Sequence, residues 1–167
     1  MQSADELDER PGTGRAAGSV SRIVVAADDS PGGRNAVEAG IEVARAAGAV
    51  AIIVYVCRAP FSLAGDAYYE RAFAVEVERG RDAVEAAAAH AAEAGVETET
   101  EILEGDPAEL ILRLARLRDA DLIVIGTRGL SSIARVVIGS VSTAVVHGAD
   151  RPVLVVTPRA GRGLRAA

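Results

Sequence analysis

Five short apolar runs, set apart by stretches of helical periodicity, constrain this chain more than any other feature. Ile23-Val24-Val25-Ala26-Ala27, Val50 to Cys57 and Leu122-Ile123-Val124-Ile125 contain no charged residue, as expected of strands covered on both faces. Val96 to Leu103 differs, because Val96, Thr98, Thr100 and Ile102 alternate with Glu97, Glu99 and Glu101, which places that strand at a sheet edge. The fifth run is Pro152 to Val156. Between the runs lie four helical stretches. Gly33 to Ala47 puts Val37, Ile41 and Ala44 on one face and has Gly48 at its C-terminal cap. A long alanine-rich stretch from about Tyr69 to Ala94 ends at Gly95, with Gly80 weakening its middle, and follows an irregular segment from Arg58 to Tyr68. Pro107 to Arg118 opens with a capping aspartate, Asp106, a first-turn proline and Glu109 at the capping-box position. The last helix spans about Ser140 to His147.

Strands that alternate with helices require parallel pairing and right-handed crossovers, with helices on both faces of the sheet. The first and fourth runs end in small or turn-forming residues and belong at the centre. The expected fold is a doubly wound, five-stranded parallel α/β sheet of order 3-2-1-4-5. In such a sheet a crevice opens where the connections leave the first and fourth strands in opposite directions, and Asp28 and Gly126 fall at its rim.

With 167 residues, half of them apolar, one domain suffices to bury a core without disulfides or metals. The expected division is a disordered N-terminal tail over 1–20, the domain over 21–157 and a flexible C-terminal tail over 158–167. The net charge of −6 is spread along the chain, which argues against a nucleic-acid partner held by a basic footprint. A single cysteine, Cys57, forbids an internal disulfide framework and a paired-cysteine metal site. No apolar stretch of about eighteen residues argues for a membrane span, and Met1 to Ser19 has no signal-like apolar run, so the expected setting is the cytoplasm with no membrane partner.

The chemistry is concentrated in one loop. Gly126-Thr127-Arg128-Gly129 is followed by nine residues and then by Gly139-Ser140-Val141-Ser142, where a helix begins. Glycines admit a phosphate to the backbone, and a helix N-terminus offers unpaired N–H groups and the positive end of its dipole. Ser140 and Ser142 bring hydroxyls to the same place. A nucleotide would set its phosphates over Gly129 and Gly139 to Ser142, with its base toward the ends of the first two strands.

The pattern G-x2-G-x9-G-S, followed by V-S-T-A-V-V and R-P-V-L-V-V, resembles the universal stress protein family of the ATP-binding type. The resemblance begins at Ile23 to Asp28, passes through Gly105-Asp106-Pro107 and Asp121 to Gly126, and closes at Val156. It implies an adenine nucleotide alpha hydrolase-like fold and a site onto which residues can be carried one by one. Asp28 and the backbone at Ala27 would lie by the ribose and base, Val56 would border adenine, and Gly126 would sit beside the ribose. Gly129, Gly139, Ser140, Val141 and Ser142 would hold the phosphates of ATP, AMP or another adenine nucleotide, with Mg²⁺ or Mn²⁺ accompanying a triphosphate. Members act mainly as regulatory or stress-responsive binders with little or no turnover. Many have glycine after the first-strand aspartate, where this chain has Asp29.

Against these stand plainer readings. The loop can be a turn that stacks the fourth helix on the sheet and binds nothing, and Asp28 or Asp29 can open the first helix through an Asx turn. Arg128 and Arg135 read as solvated loop arginines. His90 and His147 lack a nucleophile or carboxylate at a catalytic spacing, and Cys57 reads as a small buried hydrophobe. There is no lysine, hence no Walker lysine, and no G-x-S-x-G elbow, so no catalytic residue is assigned. The flat, uncharged Val153 to Val156 invites pairing, and the resemblance implies a homodimer through that edge. The leading expectation is a homodimeric, ATP-binding, nucleotide-responsive stress-response regulator. Alternatives are a dimeric interaction scaffold that binds no nucleotide and a slow ATP hydrolase.

Overall fold

The computed structural model of the protein describes residues 19–58, 66–127 and 139–157. Its elements follow the expected alternation: β1 (Arg22–Ala26), α1 (Pro31–Ala47), β2 (Val50–Cys57), α2 (Asp66–Glu93), β3 (Thr98–Glu104), α3 (Pro107–Leu117), β4 (Leu122–Gly126), α4 (Ser140–Gly148) and β5 (Val153–Val156). The five strands form one sheet in the order β3-β2-β1-β4-β5, every pair parallel. In its centre Val24 pairs with Ile52 on one side and Ile123 on the other.

The pleat sends alternate residues of the central strands to two separate cores. Ile23, Val25 and Val124 pack beneath α1 and the end of α2, with Ile41, Ala44 and Ala91. Val24, Ile52, Val54 and Ile125 pack beneath α3 and α4, with Leu110, Leu114 and Val145. Both faces of β1, β2 and β4 are therefore withdrawn from water, which is why their sequences are unbroken apolar runs. Burial of the aliphatic side chains on the two faces is the main force holding the layers together.

Some boundaries shift for identifiable reasons. α1 starts at Pro31, two residues before the expected start, because Ser30 caps it by accepting the Gly33 N–H at 3.0 Å, and proline fits the first turn. β3 starts at Thr98, since the Val96 N–H is given to the Ala91 carbonyl at 2.9 Å in closing α2. α2 begins at Asp66 and runs unbroken through Gly80, where an added Cβ would lie 2.8 Å from the Tyr55 ring, so glycine here makes room for the sheet. Residues 59–65 of the segment read as irregular, and both tails, 1–18 and 158–167, lie outside the described residues.

β3 is the edge strand its alternation implied, yet its glutamates do not simply face water. Glu99 and Glu101 lie on the α3 side, where Arg118 at the end of α3 pairs with both and Arg22 reaches Glu99 at 2.8 Å. The Arg118 and Glu101 side chains are only 10% and 11% exposed, so the edge is closed by a largely desolvated ion network.

Candidate functional site

The connections from β1 and β4 depart to opposite faces, and between them a cleft of about 110 Å³ opens at the carboxyl end of the sheet. Ala27 and Asp28 from the end of β1, Val56 from β2, and Gly126 from the end of β4 line it. Gly139, Val141 and Ser142 close it from the start of α4. Thus seven of the nine residues expected to hold a nucleotide border one cavity. Ser140 is exposed and outside the lining, and Gly129, like Arg128 and Arg135, lies outside the described residues.

Each wall has a local cause. Asp28 Oδ1 accepts the Ser30 N–H at 2.9 Å and the Ser30 hydroxyl at 2.5 Å, and that hydroxyl in turn accepts the Gly33 N–H. The aspartate is therefore oriented by an Asx turn that starts α1, so turn and cleft wall are one arrangement. Gly33 permits it, because a Cβ there would lie 2.0 Å from Asp28 Oδ1. The exposed Asp29 is held by its backbone, whose carbonyl accepts from the Arg34 guanidinium at 2.6 Å.

Gly126 is required by backbone approach. A Cβ on it would lie 2.2 Å from the Gly32 carbonyl oxygen, and one on Gly32 would lie 1.9 Å from the Thr127 carbonyl oxygen. The end of β4 and the start of α1 thus touch main chain to main chain. Thr127 is buried and donates its N–H to Val156 at 2.9 Å, fixing the strand end from the other side.

At α4, Gly139 occupies the cap position with extended dihedrals, φ −66° and ψ 161°, and supplies no side-chain cap. The first-turn amides thus meet the cleft with the positive end of the helix dipole and no side-chain oxygen in competition. Ser142 departs from its expected role as a hydroxyl donor. It is 1% exposed and gives its proton to the Gly139 carbonyl at 2.9 Å, so it stiffens the turn and retains only acceptor capacity.

Several lining residues were not singled out from sequence. Gly33 stands in the sequence reading only as the start of the first helical stretch. Tyr55 and Glu76 meet over the second strand, with the Tyr55 hydroxyl donating to Glu76 Oε1 at 3.1 Å, and burial together with that carboxylate pushes the phenol well above its ordinary range. Pro107 and Ile111 enter from α3, and Arg58 from the end of β2. The adjacent Gly32-Gly33 pair was a usable signal, since two glycines in a first turn mark close approach by something else. Glu76 had none, because it is placed by α2 crossing back over the sheet. Cys57 is fully buried with its thiol held above its ordinary pKa, chiefly by burial, as a small hydrophobe would be. His90 and His147 are exposed, and no three acidic, histidine or cysteine side chains converge among the described residues. Among those residues no helix is long and apolar enough to cross a membrane.

With this geometry the chain can be set beside known proteins. A universal stress protein of Methanocaldococcus jannaschii is 36% identical over 137 residues, 81% of each chain. Among solved structures, the universal stress protein UspA of Lactobacillus plantarum superposes with a TM-score of 0.74 at 26% identity, over 83% of this chain and 98% of that one. A universal stress protein solved in complex with cAMP superposes with a TM-score of 0.63 at 28% identity, over 83% of this chain and 97% of its own. The sequence model of the universal stress protein family matches residues 19–157, from just before β1 to just after β5, and the chain belongs to that family.

Proposed function

We propose that this protein is a cytoplasmic, homodimeric binder of adenine nucleotides, ATP foremost, that acts as a nucleotide-responsive regulator and not as an enzyme. The observation that carries the reading is the uncapped first turn of α4, which faces the Asp28 turn across the cleft where the two halves of the sheet diverge. The amides following Gly139 would take phosphate oxygens. Ala27, Asp28 and Val56 would flank ribose and base, and Gly129 would complete the phosphate cradle. The cAMP complex of a relative at 28% identity supports an adenine nucleotide as the ligand class. Mg²⁺ or Mn²⁺ would be carried by the triphosphate oxygens, since no cluster of three ligating side chains exists among the described residues. Asp28 and Glu76 are the carboxylates that line the cleft.

The test is calorimetry with ATP, AMP and cAMP, each with and without Mg²⁺, on the wild type and on Gly139→Asp. Aspartate caps helices, so the variant should keep or raise its stability by a few tenths of a kcal/mol. Its carboxylate would meanwhile occupy the anion's place and lower ATP affinity at least ~10-fold. Wild-type protein that takes up no adenine nucleotide at millimolar concentration, or a variant that binds ATP unchanged, would sink the reading.

A further inference from the structure

A second recess, which adjoins the main cleft at Ala27 and Asp28, runs between α1 and α2 and has a volume of about 510 Å³. Its floor is apolar, built from Val37, Ala83, Ala86 and Ala87. Its rim carries Asp28, Asp29, Glu38 and Asp82, against Arg34 and His90. Arg34 is already engaged by the Asp29 carbonyl, so carboxylates dominate the edge.

Where the described chain leaves β5, Val156 and Thr157 border a small notch with Asn35, Glu38, Ala39 and Glu42 of α1. Glu38 belongs to both notch and groove, so Glu42 and Glu38 form an acidic path from Thr157 over α1 into the groove. Beyond Thr157 the sequence reads Pro158-Arg159-Ala160-Gly161-Arg162-Gly163-Leu164-Arg165-Ala166-Ala167, with three arginines, one large aliphatic residue and no acid. Residues 1–18 have the opposite balance, with Asp5, Glu6, Asp8 and Glu9 against Arg10 and Arg15. Ten residues reach up to ~33 Å when extended. A helix with its side chains is only ~10–12 Å across.

We propose that residues 158–167 dock in cis across α1, their arginines on Glu42, Glu38 and the groove's acidic rim and Leu164 on its alanine floor. Single exposed ion pairs are weak, but the tether gives the segment a high effective concentration over the groove, so docking needs little intrinsic affinity and is sensitive to salt.

The test uses the full chain carrying Cys57→Ala, Ala86→Cys and Ala166→Cys under mild oxidation. An intramolecular disulfide should form in the single chain. Its rate should fall at least ~5-fold when Arg159, Arg162 and Arg165 are all changed to Gln, and fall likewise in 0.5 M salt. A second measurement needs no added thiols: amide spectra of the wild type and the three-Gln variant should differ at residues 37–38 and 82–87. A disulfide that joins two chains, a formation rate indifferent to the arginines, or spectra that coincide on α1 and α2 would each overturn the proposal.

Discussion

Gly126, Tyr55 and Cys57 show at the scale of single residues how tightly the carboxyl end of the sheet is built. Gly126→Ala would drive a Cβ to 2.2 Å from the Gly32 carbonyl, a main-chain atom that cannot swing aside. It should destabilise the fold by about 2–3 kcal/mol, read as a lower urea midpoint with an unchanged m-value. Beneath the cleft, Tyr55 and Cys57 are buried as neutral groups whose pKa values lie above their ordinary 10.0 and 9.0, with burial the first cause in each. On unfolding they release protons at those lower, ordinary values. Stability from both is accordingly complete below pH 9 and declines as the pH rises beyond it. Denaturation midpoints measured from pH 7 to pH 11 should fall more steeply for the wild type than for Tyr55→Phe with Cys57→Ala; parallel curves would contradict this. Asp28 was legible in the sequence as a cleft residue and as a turn residue, and the structure makes these the same role. Glu76 was not legible, because its place over β2 depends on where a long helix crosses the sheet.

At the scale of elements, the clearest difference concerns β3. Its alternation correctly marked an edge but gave no partner for Glu99 and Glu101, which Arg118 and Arg22 gather into a network beside α3. Nothing local in the sequence links Arg118 to residues seventeen and nineteen positions earlier. Removing the cation leaves two half-buried carboxylates without their main partner, so Arg118→Met should cost about 3 kcal/mol. Adding Glu99→Gln and Glu101→Gln should restore much of that loss in a thermal or urea melt, and no recovery would show that the network is not the cause. Helix starts were read well where a side chain does the capping. Asp106 accepts the Glu109 N–H at 3.0 Å as expected, while α1 starts two residues before the expected Gly33 because Ser30 caps it. α4 lacks any side-chain cap, and that absence at the cleft is what its function is inferred from.

For the whole molecule, the two sheet edges are treated differently. β3 is closed by charge, whereas β5 presents Leu154 at 37% exposure, with Val146 of α4 exposed at 43%. An uncharged edge of this kind favours pairing with a second copy. If the proposed dimer forms through Val153 to Val156, Leu154→Lys should shift sedimentation from dimer to monomer while leaving ATP affinity within a fewfold; a variant that stays dimeric would move the interface elsewhere. The sequence by itself determined the alternation of strands and helices, their parallel order and the convergence of the β1, β4 and α4 ends. These follow from short-range periodicity, from turn residues and from the fixed handedness of crossovers. Only the tertiary structure decided which side chains meet across those ends. The Tyr55–Glu76 pair, the Arg118 network and the contact of Gly126 with Gly32 join residues far apart along the chain, and such contacts are set by how the layers pack.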